Sequence, residues 1–185
     1  MVTRPQRWAV VLLFLIAGCN NNVPPPAVTV ATRPVDMAGF DDAIKQLHGK
    51  VVVVDFWQTS CVTCVYEFPE LVKLHDRFAG QEVATLSMNL DDPDGKNVEE
   101  KVLGFLNAKK ADFTNLRLAK GQKPEEWMNK RLKLEDGLPG QCVYDRDGKL
   151  VQTFSGGGDY PDISDLVGKI LKRGSRRSDD DKVTR

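Results

Sequence analysis

Residues 51–57, VVVVDFW, constrain the fold more than any other part of the chain. The run is apolar on both faces of an extended backbone and rich in β-branched side chains. It reads as a central strand covered by helices on both sides. Directly after it come Cys61 and Cys64, and then Phe68, Leu71, Val72, Leu74 and Phe78 at helical spacing. A helix is therefore expected from Cys61 to Phe78, with Pro69 inside it as the source of a kink.

The remaining pattern extends this strand–helix unit. Asp41 and Asp42 are expected to open a short helix, AIKQLHGK, closed by Gly49, and residues 82–90 read as a second strand. A helix from Asn97 to Lys109, an edge strand over 113–118 and a helix started by Pro124 follow. Residues 141–144 and 150–154 flank Asp-Arg-Asp-Gly, a hairpin signal, and Pro161 to Lys172 carries one apolar face. This order predicts an α/β domain of three layers, α/β/α, around a mixed central sheet.

At 185 residues and 41% apolar content, the chain suits one domain with tails. Residues 35–172 are the expected domain, and 173–185 a disordered charged tail. The 26 basic and 26 acidic residues balance, and the one basic cluster, Lys172 to Arg177, runs into Asp179 to Asp181. That distribution argues against a nucleic-acid partner.

The N-terminus has another character. Arg4 and Arg7 precede an apolar stretch from Trp8 to Ala17, too short to span a bilayer of roughly 30 Å as a helix. A basic head, an apolar core and small residues before Cys19 describe an export signal. The sequence LIAGC resembles a bacterial lipoprotein signal, which implies removal of residues 1–18, lipidation of Cys19 and a membrane-anchored protein facing the periplasm or the cell exterior. Residues 19–34, polar and proline-rich, read as a tether. Three thiols then remain: Cys61, Cys64 and Cys142.

Cys61 and Cys64 admit three readings. A zinc site needs about four ligands, and the chain offers one C-x-x-C with only His48 and His75 elsewhere, so no metal is expected. As a structural disulfide the pair would close a very short loop, for which the entropic gain is small. As a redox pair it makes chemical sense, because a cysteine at a helix start faces unsatisfied N–H groups and the positive end of the helix dipole. Both favour the thiolate. Cys61 is the exposed candidate, and Cys64, one turn deeper, can resolve a mixed disulfide.

The stretch VVDFWQTSCVTCVYEFPEL is similar to the active-site strand and helix of the thioredoxin superfamily. Gly49-Lys50 before it and Glu67, Pro69 and Leu71 within it point to the membrane-tethered TlpA/ResA-like branch. Gly137-Leu138-Pro139 and the hairpin at 145–149 continue the likeness, which covers about Gly49 to Leu171. It implies a thiol–disulfide oxidoreductase with Cys61 as nucleophile and Cys64 as resolving cysteine, needing no further cofactor. Asp55 then matches the buried acid that takes the Cys64 proton. Trp57, Leu138 and a cis Pro139 become the substrate-binding residues. The implied partners are protein disulfide or dithiol substrates and an upstream thiol donor, acting on a monomer, most often with reduction of the substrate.

The chain departs from the pattern between and before the cysteines, where Val62-Thr63 replace Gly-Pro and Ser60 replaces an aromatic. Cys142 is expected to fill the core as a small hydrophobe. Two competing functions use related folds. Copper carriers of this kind resemble C-x-x-x-C with a distant histidine, which the chain lacks after His75. Peroxidases of the peroxiredoxin type place a threonine where Gln58 stands.

Overall fold

The structure, a computed structural model, describes residues 30–132 and 137–183. Cys19, the apolar stretch before it and most of the tether lie outside the described residues. The elements run β1 (Thr32–Val35), α1 (Met37–Lys45), β2 (Val51–Trp57), α2 (Val62–Arg77), β3 (Val83–Asn89), α3 (Val98–Lys109) and β4 (Thr114–Leu118). Then come α4 (Pro124–Glu126) with a π-helical continuation (Trp127–Leu132), β5 (Gly140–Tyr144), β6 (Leu150–Ser155) and α5 (Tyr160–Val183).

All seven residues of β2 are buried, as the unbroken apolar run requires. It lies inside a six-stranded sheet of order β1-β4-β3-β2-β5-β6, parallel across the first four strands and antiparallel at β2–β5 and β5–β6. Side-chain alternation along β2 splits the core in two. Val52, Val54 and Phe56 pack with Phe40 and Ile44 of α1 and with Trp127. Val51, Val53 and Trp57 pack with Phe68 and Leu71 of α2, Val102 and Leu106 of α3, and Ile163 and Val167 of α5. The three-layer mixed α/β architecture is the one the sequence predicts. Each large apolar side chain so buried contributes about 1.5–3 kcal/mol.

Four boundaries differ from expectation. Residues 32–34, read as the end of the tether, belong to β1, which pairs in parallel with β4. Its edge position, with a neighbour on one side only, tolerates Pro34, which has no N–H to donate. That same pairing makes β4 an interior strand and not an edge. The first helix starts earlier than Asp41, because the Asp36 carboxylate accepts the Gly39 N–H at 2.8 Å and caps it. The last helix continues past Lys172 to Val183, where a disordered tail was expected at 173–185. No proline intervenes to stop propagation, although Gly174 and Asp179 to Asp181 are weak helix formers. The hairpin turn conforms: Gly148 has φ 74°, which its missing Cβ allows.

Candidate active site

The active-site turn lies where β2 gives way to α2. The chain leaves Trp57 extended, and Cys61, at φ −83° and ψ 105°, caps the helix. Its sulfur accepts the Cys64 N–H at 3.1 Å. The two cysteines are joined as a disulfide with Cα atoms 5.2 Å apart. Cys61 is half-buried, whereas Cys64 is 1% exposed, so an incoming sulfur meets Cys61 first. Val62 and Tyr66, both 83% exposed, flank it on the same helix face. Once reduced, a Cys61 thiolate would keep the Cys64 N–H and the helix dipole as its stabilisers.

Hydrogen bonds from the end of β3 hold the turn before Cys61. The Asp91 carboxylate accepts both the Thr59 N–H, at 2.9 Å, and the Thr59 hydroxyl, at 2.8 Å. The Gln58 amide donates to the Leu90 carbonyl at 2.6 Å. Ser60, exposed and small, adds no packing where an aromatic is usual, so these bonds fix the path of the turn.

Asp55 stands between Val53 and Trp57 on the β2 face that meets Cys64 of α2. It is 1% exposed, and burial pushes its carboxyl up from 3.8 to about 7. Gln141, opposite it on β5, donates an N–H at 2.9 Å and partly offsets that rise. The Tyr160 hydroxyl also stabilises the carboxylate, while the nearby charge of Glu67 raises the proton affinity further. The burial and the acidic neighbours in turn hold the Tyr160 phenol well above its usual range.

Leu138–Pro139 is a cis peptide, as the resemblance implies. Carrying the β2–β5 register one step beyond Phe56↔Gly140 brings Pro139 level with Trp57. The Pro139 carbonyl accepts the Gly156 N–H at 3.1 Å, and Glu67 Oε1 accepts the Gly158 N–H at 2.8 Å. The loop at 156–158 thus ties the proline to the cysteine helix. A Cβ on Gly157 would lie 2.7 Å from Glu67 Oε1, and its φ of 93° disfavours any side chain. Gly157→Ala is expected to lower stability by about 1–3 kcal/mol. Urea unfolding at constant m-value measures it.

Not every expected residue takes its expected place. Trp57, expected among substrate-binding residues, is wholly enclosed, its ring 5.1 Å from Phe68 and 4.6 Å from Phe105. It supports the turn from beneath and offers a substrate no surface. Pro139 is buried, whereas Gly137 and Leu138 before it are half-buried and form the accessible part of that loop. Cys142 pairs in register with Val54 and packs on the opposite side of the sheet, its sulfur 3.7 Å from Thr153 Oγ1. Gln141, Tyr160 and Asp91 were not anticipated. Only Gln141 left a sequence signal, a polar residue within an otherwise apolar strand. Among the described residues, no three His, Cys, Asp or Glu side chains gather as a metal site would require.

Comparison with known proteins agrees with this geometry. The AhpC/TSA family profile matches residues 28–153, more than half of the chain. The thiol-disulfide oxidoreductase ResA of Bacillus thuringiensis is 28% identical over 121 residues, covering 65% of this chain and 64% of that protein. Protein DipZ of Mycobacterium bovis is 26% identical over 144 residues, which is 77% of this chain but only 19% of DipZ. A thiol-disulfide isomerase from Corynebacterium glutamicum superposes with a TM-score of 0.58 at 26% identity, covering 69% of this chain and 84% of that one.

Proposed function

The chain belongs to the AhpC/TSA family, and from that premise we propose that it is a thioredoxin-like thiol–disulfide oxidoreductase acting on protein substrates. The observation that carries the reading is the half-exposed Cys61 at a helix start, bonded to a buried Cys64 that shares its layer with a buried acid. In the reducing direction the Cys61 thiolate attacks a substrate disulfide, forming a mixed disulfide and releasing one substrate thiolate. Asp55 takes the proton from Cys64, whose thiolate then attacks the Cys61 sulfur. The second substrate thiol leaves, and the Cys61–Cys64 bond closes. Two electrons pass to the substrate, and an upstream dithiol donor restores the pair.

The Asp55 carboxyl at about 7 suits this step, since a base near the working pH is both available and strong enough to accept a proton. The Leu138 backbone beside the cis proline and the exposed Val62 and Tyr66 offer the contacts for a passing polypeptide. The signal-like residues 1–19 support an exported protein, lipid-anchored through Cys19, and the reading takes it as a monomer. Its substrates would be disulfides of exported proteins, as in cytochrome c maturation or general thiol maintenance. Gln58 commits its amide to Leu90, and no threonine hydroxyl stands there, so a peroxidase reading gains nothing from the family description.

The test is to trap the substrate with a Cys64→Ser variant in the native host. The mixed disulfide left on Cys61 is expected to accumulate and to break under dithiothreitol. If no adduct forms on Cys61, the reading fails.

A further inference from the structure

Asp55 belongs to a buried polar row that crosses the sheet on one face. Gln141 of β5 pairs in register with Asp55, Asp55 with Ser87 of β3, and Ser87 with Asn115 of β4. All four side chains are buried. The orientation of the row follows from hydrogen-bond counting. The Asn115 amide nitrogen donates to two backbone carbonyls, those of Ala111 at 2.8 Å and Phe113 at 2.9 Å. Carbonyls accept only, so both donors are committed and Asn115 Oδ1 must be the acceptor toward Ser87. The Ser87 hydroxyl, 2.7 Å away, therefore spends its single proton on Asn115. Only its lone pairs remain for Asp55, its in-register neighbour on the same face of the sheet.

We propose that Asn115 is a positioning residue that sets the proton affinity of Asp55 by withholding the Ser87 hydroxyl from it. A serine free to turn would donate to the Asp55 carboxylate and stabilise the charged form. A serine whose proton is held elsewhere favours the protonated acid, which can donate to it. The other groups facing Asp55 are Gln141 from β5, Glu67 and Cys64 from α2 and Tyr160 from α5. None of them bonds Ser87 or Asn115. The row thus gives the buried acid a setting separable from burial itself. The inference rests on the role proposed for Asp55 in resolution, but its effect is read on the acid directly.

The experiment is an NMR titration of the Asp55 carboxyl in the full chain, wild type against Asn115→Ala, Ser87→Ala and the double variant. Asn115→Ala is expected to lower the midpoint by about one to two pH units, a roughly ten- to hundredfold change in acid dissociation. In the Ser87→Ala background the same substitution should move it little, because no hydroxyl remains to turn. Asn115→Leu, closer in volume, substitutes where the alanine variant does not fold. An unmoved midpoint in the single variant, or an equal shift with and without Ser87, overturns the proposal. A shifted midpoint with unchanged turnover counts against Asp55 as the proton acceptor and leaves the role of Asn115 standing.

Discussion

Cys61→Ser is expected to remove disulfide exchange entirely, leaving insulin reduction at the rate of dithiothreitol alone. The expectation follows from access. Cys64 is 1% exposed and lies in the first turn of α2, three residues after the cap, so it cannot replace Cys61 as the sulfur that meets a substrate. Serine is close to cysteine in size and can still cap the helix by accepting the Cys64 N–H, so the fold should survive. Its alcohol, however, remains protonated far above the pH at which a capped thiol ionises. A variant that retained turnover with an unchanged circular dichroism spectrum would mean that Cys64 is the attacking group and that the exposure argument is wrong.

The second large effect concerns Asp55, and it runs in opposite directions for stability and for rate. The folded state holds the Asp55 proton more tightly than the unfolded chain, since burial raises its value from 3.8 to about 7. Between these values the native state binds more protons, so stability falls as pH rises through the window. The cost is absent below about pH 4 and complete above about pH 7, where it is on the order of 4 kcal/mol. Asp55→Asn keeps an oxygen for the Gln141 amide and removes the charge. It is therefore expected to be more stable than wild type by several kcal/mol at pH 8 and to lose that advantage near pH 4. Resolution should slow by about 10²-fold or more at pH 7, because Cys64 loses its base. Urea unfolding at the two pH values and single-turnover release of a substrate thiol measure the two effects. A variant that is no more stable at pH 8 than at pH 4 would show that Asp55 carries no such penalty.

How far the sequence reveals this molecule depends on which features are local. The strand over 51–57 and the helix after it are legible because periodicity and the two cysteines coincide within one stretch. Asp55 is legible because a lone acid interrupts an apolar strand. β1 was not, since three residues of an edge strand inside a proline-rich segment carry no periodic signal, and the same omission made β4 look like an edge. Tyr160, Asp91 and Asn115 bear on the site from 96, 27 and 51 positions after Cys64, counting along the chain. Each is unexceptional in its own surroundings, and only the strand order brings them to the centre. Trp57 shows the reverse: its position in the motif was plain, while its complete enclosure depends on Phe68 and Phe105, which belong to other elements.

The third cysteine raises a question of fidelity. A protein with the exchange activity proposed above risks being caught in a pairing of its own. Here the safeguard is arithmetic. Cys142 occupies the residue of β5 that points toward α1, and the positions on either side of it point toward the redox helix. A shift of one residue along the strand would bring a third sulfur into the exchanging layer. Parity in a single strand therefore keeps the electron pair between the two sulfurs that are meant to share it.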